Sequence, residues 1–157
     1  NLEEVNLHDF NNNVSIHLGS YFNFLNLTSR FMKINKLEGS IVSISSIYGV
    51  IPPRFDIYDG TKMTMPVEYA AVKSSINHLV KYFAKFYSGI GLRFNSVCPG
   101  GILDNQPISF VNAYKKYSLS KGMLDTDDVL PLIEFLVSNK SAYINGENIT
   151  IDDGFSL

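Results

Sequence analysis

The chain has 157 residues, 45% of them hydrophobic and 18% charged, with a formal net charge of -2. That length suits one domain, the apolar content excludes a disordered chain, and the near-balanced charge leaves no basic footprint for nucleic acid. With Cys98 as its single cysteine, the sequence excludes an intrachain disulfide and a cysteine-type zinc cluster, and it is compatible with a reducing, cytoplasmic setting.

No apolar run reaches the roughly 20 residues of a membrane helix, so no membrane span is expected. The opening Asn1-Leu2-Glu3-Glu4 lacks the basic and apolar stretches of a signal peptide. It also lacks an initiating Met, so a natural start is not expected there.

In chain order, the first predicted element is a helix over Phe10 to Met32, with Leu18, Phe22, Leu25, Ser29 and Met32 on one stripe at helical period. A turn follows, then a β-branched run, Gly39 to Ser46, that fits a strand buried in a parallel sheet. Tyr48 to Pro66 is rich in Gly, Pro and Asp and reads as a long loop, a length more often functional than idle. A second helix is predicted from Pro66 to Tyr87, with Val72, Ile76, Leu79, Phe83 and Phe86 facing the core. Leu92 to Cys98 is the next strand, stopped by Pro99-Gly100-Gly101.

Pro107 to Lys121 reads as weakly helical and mobile. Thr126 is the expected N-cap of a helix running to Asn139, with Asp127 and Asp128 in its first turn. Asn148 to Ile151 is the last strand. The order α-β-α-β-α-β implies a parallel sheet with right-handed crossovers, and ligands in such sheets sit beyond the carboxyl ends of the strands.

At those ends stand Ser46 and the pentad Tyr69-Ala70-Ala71-Val72-Lys73. Tyr69 and Lys73 are four apart and share a helix face. A tyrosine ionises near pH ~10, and a lysine cation beside it favours the phenolate. Such a tyrosine can exchange a proton with an alcohol or carbonyl oxygen, to which a serine hydroxyl donates. Alone, the spacing is met as well by a surface pair.

The surrounding pattern decides between the two. Ile44-Ser45-Ser46-Ile47-Tyr48-Gly49, the Tyr69-to-Lys73 block, Arg93-to-Ile102 and Ile144-to-Gly154 resemble, in order and spacing, the serine motif, the Y-x-x-x-K motif, the R-x-N-x-x-x-P-G stretch and the closing I-x-G-x-x-I-x-x-D-G-G segment of the classical short-chain dehydrogenase/reductase family. The resemblance implies part of a Rossmann-type, doubly wound α/β sheet, binding NAD or NADP and a small-molecule substrate. It implies Ser46 as the substrate-orienting donor, Tyr69 as acid/base, and Lys73 beside Tyr69 against the nicotinamide ribose. Pro99, Gly100, Gly101 and Ile102 would lie against the nicotinamide. Ser45 is the adjacent alternative; Ser46 is preferred because the family's serine stands three positions before the motif glycine, here Gly49.

Three departures stand out. His17 occupies the position of an asparagine that helps hold a relay water; it is either a modified relay or a helix histidine facing a neighbour. About ten extra residues, from Pro52 to Thr61, lengthen the loop between Ser46 and Tyr69. There Arg54 is expected to be solvated, with an anion site as the other reading. Asp104 replaces a threonine that holds the cofactor carboxamide in many relatives.

No G-x-x-x-G-x-G phosphate loop stands in these residues. The chain is therefore expected to be the C-terminal half of a parent enzyme, starting near the fourth helix. Dinucleotide binding by these residues alone is not expected. Were these residues all that exists, the Ser40–Ser45 strand is expected to be an exposed hydrophobic edge, open to aggregation or pairing. The alternative reading is a non-catalytic remnant that serves as an association module. The first two long helices pair subunits in the family, implying a homo-oligomer. The narrower resemblance is to oxidoreductases of bacterial flagellin modification and surface-sugar biosynthesis, implying a sugar-derived alcohol or ketone.

Overall fold

The structure is a computed structural model and describes residues 2–157. Its main elements are helix α1 (Leu7–Ile34), strand β1 (Gly39–Ile44), helix α2 (Val67–Phe86), strand β2 (Leu92–Pro99), helices α3 (Ile108–Lys115) and α4 (Thr126–Val137), and strand β3 (Asn148–Ile151). The expected alternation holds, and the stretch read as weakly helical between β2 and α4 forms α3.

The three strands form a parallel sheet in the order β1-β2-β3. Gly39 pairs with Leu92 at one end, and Pro99 with Ile151 at the other. Side chains alternate across such a sheet. On one face Ile41 and Phe94 meet Leu25 of α1 and Val80 and Phe83 of α2. On the other, Val97 meets Val129 and Leu136 of α4. This is a doubly wound α/β arrangement, part of a Rossmann-type fold.

Local chemistry explains most boundaries. The Asn6 side chain accepts the Asp9 N–H at 2.9 Å and caps α1. Of the expected α1 stripe, Leu25 and Ser29 are buried, but Phe22 is exposed and only leans edge-on against Phe83. In α2, Val80 and Asn77 take the core places beside Ile76 and Phe83, and Phe86 lies on the surface. The cap of α4 is Asp125, one residue before Thr126: its N–H donates to the Asp128 carboxylate at 2.8 Å, the return half of a capping box.

Arg93 and Asn95, read as motif residues, tie down the return to β3. The Arg93 guanidinium donates to the carbonyls of Leu136, Ser138 and Ser141, where α4 ends and the helix dipole is negative. Asn95 donates to Ile144 O at 2.8 Å and accepts from Glu147 N at 3.0 Å.

A third core covers the carboxyl ends of the strands. It joins Ile47, Tyr48 and Ile57 to Phe110, Tyr114, Met123 and Phe155. The segment read as weakly helical and mobile is thus anchored: Phe110 and Tyr114 of α3 are buried, and Tyr114 stacks on Phe155 with centroids 4.0 Å apart. The long loop carries two short 3-10 turns, Ile47–Gly49 and Phe55–Tyr58. Among the described residues no helix is long and apolar enough to cross a membrane.

Candidate active site

β1 ends at Ile44, two residues before the predicted end, because the next two hydroxyls are diverted. Ser45 Oγ donates to the carbonyl of Lys73 at 3.0 Å, fastening the strand end to the middle of α2. Ser46 caps the first 3-10 turn, its Oγ accepting the Tyr48 N–H at 3.2 Å. Both serines are buried. The Ser45 proton is committed to the backbone, whereas the Ser46 proton has no acceptor among the described residues.

Gly49 completes this junction. A Cβ there would lie 2.7 Å from the Lys73 carbonyl carbon, so a side chain would push the turn off α2. The Asn77 amide donates to Gly49 O at 3.1 Å, and its oxygen lies 3.0 Å from Ser96 Oγ on β2. Asn77 follows Tyr69 and Lys73 on the same helix face, at the next fourfold step. That periodicity was the signal that could have marked it.

Tyr69 and Lys73 rise from the first turns of α2 toward the end of β1. Lys73 Nζ lies 5.5 Å from the Tyr69 ring centroid and donates to Ile44 O at 3.1 Å. Tyr21 of α1 donates to the same carbonyl at 2.7 Å and places its ring 5.6 Å from the ammonium. Nothing in the sequence reading singled out Tyr21, although it stands four residues after His17 on one face of α1. Burial pushes the Lys73 ammonium below its ordinary value.

Ser45, Ser46, Tyr69, Lys73, Pro99, Gly100, Gly101 and Ile102 all line one open cavity of about 380 Å³ at the carboxyl ends of β1 and β2. Pro99 closes β2, and Gly101 N donates to the Tyr114 hydroxyl at 2.7 Å. A Cβ on Gly100 would meet that hydroxyl at 2.6 Å, so the two glycines admit α3. Ile102 is held by a bridge to Leu124. Tyr48, Tyr58, Met63, Met65, Phe110 and Met123 complete the far side.

The three departures fall differently. His17 is exposed and lines a separate cavity of about 250 Å³ with Tyr21, Glu68, Tyr69 and Lys73. Asp104 is exposed and lies outside the main cavity; its N–H donates to Gln106 Oε1. Arg54 corrects the expectation of a solvated arginine. It is half-buried over the Tyr117 ring at 4.4 Å and donates to the carbonyls of Phe155 and Leu157. That backbone takes its Nε and Nη2 donors.

A family model described as enoyl-(acyl carrier protein) reductase matches residues 1–156. The chain belongs to the short-chain dehydrogenase/reductase family. It is 38% identical over 146 residues to the post-translational flagellin modification protein A of Campylobacter coli, covering 92% of this chain and 56% of that protein. It is 30% identical over 148 residues to a 3-oxoacyl-(acyl-carrier-protein) reductase of Thermotoga maritima, covering 92% of this chain and 56% of that one. A crystal structure of a short-chain dehydrogenase from Leptospira borgpetersenii with bound NAD+ superposes with a TM-score of 0.92 at 33% identity, covering 99% of this chain and 59% of the other. This short-chain dehydrogenase/reductase chain thus spans about half the length of the curated relatives it matches.

Proposed function

We propose that these residues form the catalytic side of an NAD(P)-dependent oxidoreductase that interconverts an alcohol and a carbonyl on a sugar-derived substrate. The observation that carries the reading is the convergence of the Ser46 hydroxyl, Tyr69 and the Lys73 ammonium on one cavity at the strand ends.

A nicotinamide cofactor fits what the cavity offers. The ammonium of Lys73 donates one N–H to Ile44 O and has two more for hydroxyl oxygens of a ribose. The Pro99-to-Ile102 turn supplies an apolar wall for a flat ring. When bound, the cofactor gives or takes the hydride. The protein's part is proton handling and orientation. Ser46 donates its free O–H to the substrate oxygen and fixes its position. Tyr69 passes a proton to that oxygen as a carbonyl is reduced, or removes one as an alcohol is oxidised. The Lys73 cation stabilises the phenolate left behind.

The sugar-derived substrate is supported by the flagellin-modification relative and by the tyrosine hydroxyls on the cavity's far side. Pairing of two copies through α1 and α2 is supported by apolar side chains exposed on both helices, among them Phe31, Ile34, Tyr82 and Phe86.

The test is Tyr69→Phe in an active enzyme carrying these residues together with a dinucleotide phosphate loop. Turnover is expected to fall by at least about 100-fold, with the NAD(P)H dissociation constant nearly unchanged by fluorescence titration. Retained turnover defeats the assignment.

A further inference from the structure

The cavity's far side holds donors that the proposed reaction does not use. Tyr48 and Tyr58 face each other there with hydroxyl oxygens 3.3 Å apart. Two hydroxyls carry two protons, and one bond between them consumes one. Whichever ring donates, the other O–H has no protein acceptor among the described residues.

Tyr114, whose hydroxyl lies against the Gly100–Gly101 turn, also keeps a proton. Its oxygen accepts the Gly101 N–H at 2.7 Å, and its own proton has no acceptor among the described residues. Burial, first among the causes, pushes all three phenols above their ordinary value, Tyr114 to about 12. They are therefore neutral donors across the physiological range.

Around these hydroxyls the surface is soft and apolar, formed by Met63, Met65, Met123 and Phe110. Among the described residues Lys73 is the only charged side chain lining the cavity, and it sits at the catalytic end. Arg54 does not line the cavity, and its Nε and Nη2 donors go to the backbone carbonyls of Phe155 and Leu157. A carboxylate or phosphate on the far side would be desolvated with no cation to meet it.

We propose that the Tyr48–Tyr58 pair, with Tyr114, forms a recognition subsite for an uncharged, hydroxyl-bearing ring joined to the reacting carbon. The apolar ring faces lie on the methionines and Phe110, and a ring hydroxyl accepts the spare tyrosine proton. The inference rests on the oxidoreductase reading and narrows its substrate to a neutral polyol or ketose rather than a sugar acid.

Three matched ketones test it in the active enzyme: 4-hydroxycyclohexanone, 4-methylcyclohexanone and 4-oxocyclohexanecarboxylate. We expect kcat/KM to favour the hydroxyl over the methyl compound by up to roughly tenfold, the worth of one hydrogen bond. The carboxylate is expected to be poorest. In the isosteric double variant Tyr48→Phe/Tyr58→Phe, the hydroxyl-to-methyl ratio is expected to fall toward one. A carboxylate preference in the unmodified enzyme, or a hydroxyl preference that survives the double variant, overturns the proposal.

Saturation-transfer NMR of the same three compounds gives a second readout that does not need turnover. The same binding order without turnover supports the subsite and defeats the oxidoreductase reading. Turnover of all three with no order in binding or rate does the reverse.

Discussion

Ser45 and Ser46 are neighbours on one cavity wall, and their hydroxyl protons go to opposite places. Ser45 spends its proton on Lys73 O, inside the junction of β1 and α2, while Ser46 keeps its proton for the cavity. Replacing each by alanine should therefore give opposite phenotypes. Ser45→Ala is expected to cost about 1 kcal/mol of stability by denaturant titration, the worth of a buried hydrogen bond. Ser46→Ala is expected to lower kcat by about 100-fold at little cost in stability, as the loss of a donor to the reacting oxygen should. A kinetic defect larger in the Ser45 variant would reverse the assignment. The departures make the same point about single residues. Arg54, a loop arginine by sequence, is a clamp because Phe155, Leu157 and Tyr117 come to it from a hundred or more and sixty-odd residues away.

Among the elements, the exit of β3 and the α3–α4 connection are joined by one carboxylate. Asp153 accepts from Gly122 N at 2.7 Å and from Ser120 N and Oγ at 3.0 and 2.6 Å. These bonds, Gly122 first, hold its carboxyl down at about 2. A group depressed in the folded state stabilises the fold above its unfolded value, and that contribution fades as pH falls toward the folded one. Asp153→Asn should therefore lower stability at neutral pH. The gap from the parent chain should close between about pH 4 and pH 2 in an acid-unfolding series; a constant gap would count against it.

Element identity was largely legible because α1, α2 and the strands carry strong local period, and Pro66 and Gly89 bracket α2. What escaped was set by distant partners. The last two residues of the first predicted strand turned away to meet α2. Phe22 and Phe86 fit the helical stripe but lie outside the face that meets the sheet. The anchoring of α3 depends on Phe155, forty-odd residues on, which no local window contains. Ser46, Tyr69, Lys73 and the Pro99-to-Ile102 turn were legible as a set because their spacing is stereotyped. Tyr21 and the Tyr48–Tyr58 pair were not, since they gain meaning only from folding.

At the scale of the whole molecule, α1 and α2 lie side by side and leave Phe31, Ile34, Tyr82 and Phe86 exposed. If two copies pair through α1 and α2 as proposed, these side chains are the ones the contact would cover. The double variant Phe31→Asp/Phe86→Asp is expected to shift the enzyme toward monomer in sedimentation velocity, with its far-UV circular dichroism retained. An unchanged association state would place the contact elsewhere.

The junction at Lys73 bears on how such a protein can diversify. Ser45 and Gly49 grip the backbone of Lys73 directly, so the spacing between the reactive groups does not depend on the chain that loops out between them. On the proposed reading, the loop's own share of the far wall, Tyr58, Met63 and Met65, can be rewritten while Ser46, Tyr69 and Lys73 keep their places, so part of substrate choice is inherited separately from the proton handling.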